Sequence, residues 1–277
     1  MTRLEIRPGF SLNVEVRGAG TPLVLLHGFT GSAAGWGRFG ERLAERHALV
    51  ALDIVGHGLS DKPETVADYR MERAAADIVA VVRHLGYERA TWLGYSMGGR
   101  TALQVAVAHP EAVECLVLIG GAPGISSASE RAARVASDQQ LADRIERDGI
   151  EAFVEYWENI PLFTSQHRMP AERQAAVRAG RLACDPTGLA NSLRGMGAGA
   201  QRPLHGDLAG IRAPVLAIAG ELDTKYAGIG REISESVPGA LTAVIADAGH
   251  APQVERPDDT AAMVLEFLAQ NPLAVAE

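Results

Sequence analysis

"ATWLGYSMGGR", residues 90–100, decides how the chain is read. Ala90 to Tyr95 is an apolar run of strand length, and from Met97 a helical pattern continues to His109. Between them, Gly94-Tyr95-Ser96-Met97-Gly98 fits G-x-S-x-G, in which a serine occupies a sharp strand-to-helix turn. Small neighbours must clear room for such a turn. The amide of Met97, at a helix start, has no intrahelical acceptor and points toward the site. The motif alone leaves open whether Ser96 attacks a carbonyl carbon or takes part in moving a proton.

Outward from that stretch, "PLVLLHG" (22–28), "ALVALD" (48–53), "VECLVLIGG" (113–121) and "PVLAIAG" (214–220) are continuous apolar runs. Runs of this kind suit parallel strands buried on both faces. "SLNVEV" (11–16) instead alternates apolar and polar residues, as a strand with one solvated face does. Helical patterns fall at Met71–Leu85, Met97–His109 and Asp258–Ala269, with Gly86 closing the first and Pro257 opening the last. Alternating strands and helices predict an α/β fold around a doubly wound, mostly parallel sheet. From about Ile125 to Gln201 strand-like runs vanish, and Arg- and Ala-rich helical segments follow one another, broken at Gly149, Pro161, Pro170 and Pro186. This predicts a first core segment at 1–124, an inserted helical cap at 125–205 and a second core segment at 206–277.

The 277 residues are 47% hydrophobic and 22% charged, the profile of a globular protein with ample material for a core. No apolar stretch is long enough to span a bilayer, and "MTRLEIRPGF" lacks the apolar segment of a secretory signal, so no stable membrane insertion is expected. Cys115 and Cys184 form neither a metal spacing nor a disulfide framework, which suits the cytoplasm. The net charge of -8 and the absence of a basic run speak against nucleic acid. Without H-E-x-x-H, an Asp-rich loop or G-x-G-x-x-G, no metal, nucleotide or other cofactor is expected.

A serine becomes a useful base or nucleophile when a histidine takes its proton and an acid orients that histidine. On this type of turn the acid and then the histidine follow the serine in the chain. "AGELDTKY" supplies Asp223 just past a strand-like run, and "DAGHAPQVERP" supplies His250 after "LTAVIAD" (241–247). Both would lie at carboxyl ends of strands, on the sheet edge that carries Ser96, where open α/β sheets bind ligands. Glu221 and Asp247 compete with Asp223 as the orienting acid. "LHGFTGS" (26–32) after another strand offers the amide of Phe29, which with that of Met97 would make an oxyanion hole. His27 and His57 sit in Gly-rich loops and would brace them. His47, His84, His109, His167 and His205 are expected on the surface or at helix ends.

"LHGFTGS", "DIVGHGLSD", "GYSMGGR", "AGELDTKY" and "AGHAPQVERP" follow one another as they do in the α/β-hydrolase superfamily, which the chain resembles outside its helical insert. The insert carries a narrower likeness. "GGAPGI", "RAARVASDQQLADRIERDGIEAFVEYWENIPLF" and above all "LANSLRGMGAGAQRPL" resemble the 2-succinyl-6-hydroxy-2,4-cyclohexadiene-1-carboxylate synthases of menaquinone biosynthesis. That resemblance implies a lyase that abstracts a carbon-bound proton and expels an enolpyruvyl group as pyruvate, with no acyl-enzyme. It also implies a small polycarboxylate substrate. Arg100, one helical turn beyond Ser96, Arg134 and Arg181 stand where the family binds substrate, with Arg178 an alternative to Arg181. Planar guanidinium forks match carboxylates. Tyr95 flanks Ser96, Trp157 matches a pocket aromatic of the family, and Tyr226 stands where phenylalanine is common. A carboxylesterase or carbon–carbon bond hydrolase would use the same Ser96, Asp223 and His250 through an acyl-enzyme. A non-catalytic receptor on this fold is a third reading, against which all three residues are present.

Overall fold

The structure, a computed structural model, describes residues 2–272. Eight strands form one sheet: β1 (Thr2–Arg7), β2 (Phe10–Arg17), β3 (Thr21–Leu26), β4 (His47–Leu52), β5 (Ala90–Tyr95), β6 (Val113–Ile119), β7 (Val215–Gly220) and β8 (Leu241–Ile245). Their order across the sheet is β1-β2-β4-β3-β5-β6-β7-β8. The β1–β2 and β2–β4 pairs are antiparallel, and all others are parallel. From β3 the chain goes to one side to lay down β4 and to the other for β5. The crevice beyond the carboxyl ends of β3 and β5 is thus the topological switch point, where doubly wound sheets take their ligands.

The apolar runs are explained by burial on both faces. Val24 and Leu26 of β3 enter one core with residues of α2 (Met71–His84) and α3 (Met97–Ala108). Leu23 and Leu25 of the same strand enter the opposite core, with Phe39 and Leu43 of α1 (Gly37–Ala44) and Val264 and Phe267 of the last helix, α8 (Pro257–Gln270). Successive side chains of a strand point to opposite faces, so a strand covered by helices on both sides has no polar position to spare.

Three features depart from the sequence reading. β1 was not marked by any apolar pattern: it is an edge strand whose Arg3, Glu5 and Arg7 alternate with half-buried neighbours. In β2 the expected solvated face is covered at Asn13, whose Nδ2 donates to Asp53 Oδ2 at 2.8 Å and whose N–H donates to Ser60 Oγ at 2.8 Å. His47 opens β4 instead of ending a helix, its Nδ1 2.8 Å from Thr21 Oγ1.

Between β6 and β7 run α4 (Ala128–Trp157), α5 (Ala171–Leu182) and α6 (Pro186–Met196). The interruptions fall at residues that cannot continue a helix or that favour starting one. Gly149 breaks α4 at φ 81°, ψ 176°; Pro161 opens a 3-10 segment (Pro161–Arg168); Pro170 precedes α5; Pro186 opens α6. This helical segment has a small core of its own, including Ile145, Phe153, Leu189 and Leu193, against which Phe29 and Trp157 pack.

Candidate active site

Ser96 sits between β5 and α3 at φ 51°, ψ -108°, a strained conformation for a residue with a side chain. The flanking glycines have a steric cause. A Cβ on Gly94 would lie 2.1 Å from Gly98 O, and one on Gly98 would lie 1.9 Å from Leu26 O. The turn is therefore wedged against the end of β3 and can exist only with hydrogen at both positions. It is pinned by the Ser96 N–H donating to Ile119 O at 2.8 Å.

The three residues picked from sequence order meet in space. His250 Nε2 is 3.0 Å from Ser96 Oγ, and His250 Nδ1 is 2.7 Å from Asp223 Oδ2. Donation from Nδ1–H to the carboxylate leaves Nε2 with its lone pair facing the serine hydroxyl, the tautomer a proton acceptor needs. Asp223 is held in turn by capping α7 (Thr224–Ser236), its Oδ1 accepting from Tyr226 N–H at 3.3 Å. The competing acids lie elsewhere. Asp247 pairs at the surface with Arg168, at 2.7 Å, and with Arg256, while Glu221 accepts from the Asp247 N–H.

Phe29 and Met97 line the cavity next to Ser96. Met97 is the first residue of α3, so its N–H lacks a helical acceptor. The Phe29 N–H belongs to the peptide whose carbonyl is Gly28 O, and that carbonyl is held from behind by His27 Nδ1 at 2.7 Å and Gly31 N–H at 2.9 Å. His27 Nε2 accepts from Ile54 N–H at 3.0 Å, so the proton must reside on Nδ1. With its carbonyl fixed, the peptide plane fixes the opposite-facing N–H as well.

His57, fully buried, places Nε2 2.6 Å from Phe29 O and Nδ1 3.0 Å from Val55 O. Burial, reinforced by neighbouring His27, pushes its pKa down to about 3, and burial lowers His27 also. Once pH falls below the ordinary histidine value, the unfolded chain takes up protons that the folded state refuses. The stability due to His57 is complete above about pH 6.5 and is lost toward pH 3, at up to about 1.4 kcal/mol per pH unit. Urea unfolding at about pH 7 and about pH 4.5 is expected to show a lower midpoint in acid; equal midpoints would contradict this burial argument.

A cavity of about 480 Å³ opens beside Ser96 and His250. Every substrate-contact residue expected from the sequence lines it: Tyr95, Arg100, Arg134, Trp157 and Arg181. Arg181 is 6% exposed; its Nη2 donates to Gln166 Oε1 at 2.8 Å and its guanidinium lies over the Phe163 ring at 4.8 Å. Arg100 donates from Nη1 to Met196 O at 2.8 Å and Gln201 Oε1 at 3.0 Å. Burial draws the pKa of Arg181 down, and it draws that of Arg100 down to about 10, which leaves Arg100 cationic at neutral pH. Neither forms a salt bridge among the described residues. Arg134 differs, with Nε 2.8 Å from Asp138 Oδ1 and a side chain 44% exposed. Arg178, the alternative to Arg181, pairs with Glu158 and is absent from the cavity lining.

Aromatic rings fill the space between these cations. Trp157 meets Phe29 edge-on and lies tilted against Phe153 and Phe163, at ring separations of 5.4–5.7 Å, and its buried indole N–H has no acceptor among the described residues. Tyr95 lies against His250, and burial raises its hydroxyl pKa far above the usual phenol range. Sequence reasoning missed Phe163, Gln166, Arg173 and Lys225 as lining residues, and gave Tyr226 no place in the site. Tyr226 stacks on His250 at 4.5 Å, and its position three residues after the acid was a usable signal. Phe163 and Gln166 lie three residues apart on the 3-10 segment and so share one face, a period of three that a reading for α-helical and strand periods passes over. Among the described residues no group of His, Cys, Asp or Glu could hold a metal ion, and no helix is long and apolar enough to cross a membrane.

A family model described as the alpha/beta hydrolase fold matches residues 21–257. A Bacillus subtilis (strain 168) protein assigned as a 2-succinyl-6-hydroxy-2,4-cyclohexadiene-1-carboxylate synthase is 42% identical over 250 residues, covering 90% of this chain and 91% of its own length. The enzyme of that name from Enterobacter sp. (strain 638) is 30% identical, covering 93% of this chain and 96% of its own. Among solved structures, MenH from S. aureus superposes with a TM-score of 0.88 at 30% identity, covering 94% of this chain and 98% of its own. The chain belongs to the α/β-hydrolase fold family and, within it, to the 2-succinyl-6-hydroxy-2,4-cyclohexadiene-1-carboxylate synthases.

Proposed function

We propose that this protein is a lyase of menaquinone biosynthesis. It would eliminate pyruvate from 2-succinyl-5-enolpyruvyl-6-hydroxy-3-cyclohexene-1-carboxylate to give 2-succinyl-6-hydroxy-2,4-cyclohexadiene-1-carboxylate. Beyond family membership, the observation that carries this reading is the pairing of Ser96, His250 and Asp223 with two cavity guanidiniums, Arg100 and Arg181, that have no carboxylate partner among the described residues. A tricarboxylate substrate supplies what those cations lack.

The proton to be removed is on ring carbon 2, next to the succinyl ketone. His250, oriented by Asp223, draws the proton from Ser96 Oγ, and the oxygen takes the proton from carbon. The electron pair so released forms the 2,3 double bond, the 3,4 pair shifts to 4,5, and the bond from carbon 5 to the enolpyruvyl oxygen breaks. The departing enolpyruvate takes up a proton to become pyruvate. Charge gathering on the ketone oxygen is met by the Phe29 and Met97 amides, each such donor being worth about 3 kcal/mol in a transition state. Arg100, Arg134 and Arg181 fix the carboxylates, while Tyr95 and Trp157 bound the ring. On the same reading, residues 125–205 act as a cap over a core made of 1–124 and 206–277, and the protein works in the cytoplasm.

The same triad could instead form an acyl-enzyme, because Ser96 Oγ is already within hydrogen-bond reach of His250. Parallel assays separate the two: pyruvate release from the enolpyruvyl substrate, corrected for the uncatalysed elimination, and hydrolysis of a short nitrophenyl ester. Rapid pyruvate release with feeble ester hydrolysis is expected. Strong ester turnover without pyruvate would overturn the lyase reading.

A further inference from the structure

Arg100 and Arg181 share a feature that α3 and α5 do not explain. Each guanidinium is held by the Oε1 of a buried glutamine: Arg100 by Gln201 at 3.0 Å and Arg181 by Gln166 at 2.8 Å. Gln201 is 2% exposed and Gln166 6%. The two amides come from separate places, Gln166 from the 3-10 segment and Gln201 from the end of "LRGMGAGAQ" (193–201). Several other arginines of the insert take carboxylates: Arg134 with Asp138, Arg144 with Asp148, Arg178 with Glu158, and Arg194 with Asp143 and Glu146, while Arg131 and Arg173 donate to backbone carbonyls. Carboxylates are plentiful in this segment, yet among the described residues neither Arg100 nor Arg181 pairs with one.

The amide at 201 is kept against the local hydrogen-bond balance. With Oε1 turned to Arg100, its Nε2 is buried without an acceptor among the described residues. A glutamate of the same shape would set a full negative charge against Arg100. The rest of the stretch serves the same placement. Met196 O takes a second bond from Arg100, and a Cβ on Gly199 would lie 2.6 Å from Val135 N, so only a bare backbone lets α4 bring Arg134 this close.

An amide oxygen and a carboxylate orient a guanidinium equally well but leave different charges behind. Beside a carboxylate the cation is neutralised, and an arriving anion must share or displace the resident one. Beside an amide the whole charge remains available, in surroundings where charge–charge interaction is strong. We propose that Gln201 and Gln166 are positioning residues that hold Arg100 and Arg181 while leaving both cations uncompensated, and thereby set the preference of the cavity for polyanionic substrates. The identity of the substrate rests on the lyase reading; the charge argument does not.

The test compares Gln201→Glu and Gln166→Glu with Gln201→Met and Gln166→Met. Binding of 2-succinylbenzoate, the aromatic analogue of the product, is measured by calorimetry beside lyase kinetics and thermal unfolding. Each Glu variant is expected to raise Kd and KM by about 30-fold or more, with Tm at or above wild type, while each Met variant raises them less, about 3- to 10-fold. A purely structural bond gives the opposite ranking, since glutamate keeps the contact with arginine and methionine loses it. That ranking would overturn the proposal. Protonating the new carboxyl restores neutrality, so kcat/KM of a Glu variant relative to wild type should climb as pH falls; a flat ratio would also overturn it. Should a Glu variant fail to fold, complete loss of 2-succinylbenzoate binding in its Met counterpart is the contradicting result. Wild-type binding without pyruvate release counts against the lyase reading alone. Turnover with undiminished binding in both Glu variants counts against this proposal alone.

Discussion

Ser96→Ala is expected to lower kcat for pyruvate release by about 10³-fold, the middle of the range that a positioned general acid–base group contributes. Alanine leaves no oxygen 3.0 Å from His250 Nε2, and the imidazole then faces the substrate across a gap it does not span. KM should change little, because the arginines that take the carboxylates are untouched. The fold should also survive, since alanine fits the φ 51° turn no worse than serine does. His250→Ala should match this loss, because the two act as one unit and their effects do not add. Steady-state kinetics on both single variants and the double variant check the claim. An almost fully active Ser96→Ala would show that His250 removes the carbon-bound proton by itself.

Arg181→Met carries the second large effect, with opposite signs for activity and stability. The guanidinium lies over the Phe163 ring with only a neutral amide for company. A substrate carboxylate would gain two charge-assisted hydrogen bonds from it, at about 1.5–3 kcal/mol each. Losing them should reduce kcat/KM by roughly 10²- to 10⁴-fold, chiefly through KM. Methionine fills the space beside the ring and removes a buried cation that has no acid, so thermal stability should hold or rise. Kinetics and a melting curve on one variant read both signs. A fall in Tm with unchanged KM would make Arg181 a structural residue.

How far the sequence could be read depended on how local each cause was. The turn at Ser96 was legible because strand, serine and helix are contiguous, and because Gly94 and Gly98 are demanded by backbone atoms under 2.5 Å from any added Cβ. The central strands were legible because burial on both faces leaves a continuous apolar run. β1 was not, because an edge strand tolerates charge at every second position. Asn13 misled because its cover is a loop some 40 residues away, where Asp53 and Ser60 satisfy it. The same distance problem governs the cations. That Arg178 and Arg134 meet acids while Arg181 and Arg100 meet amides depends on partners brought together by the fold, such as Gln201, 101 positions from Arg100. Residue type and spacing mark an arginine; only the fold decides whether its charge is free.

The most direct test of the triad's role uses substrate deuterated at ring carbon 2, with pyruvate release and the mass of the intact protein followed in the same reaction. If Ser96 and His250 move the carbon-bound proton, deuterium should slow single-turnover pyruvate release by about 2-fold or more, and the mass of the protein should not change. Formation of a covalent adduct on Ser96, with pyruvate release indifferent to deuterium, would contradict the elimination and make Ser96 an acyl-accepting nucleophile.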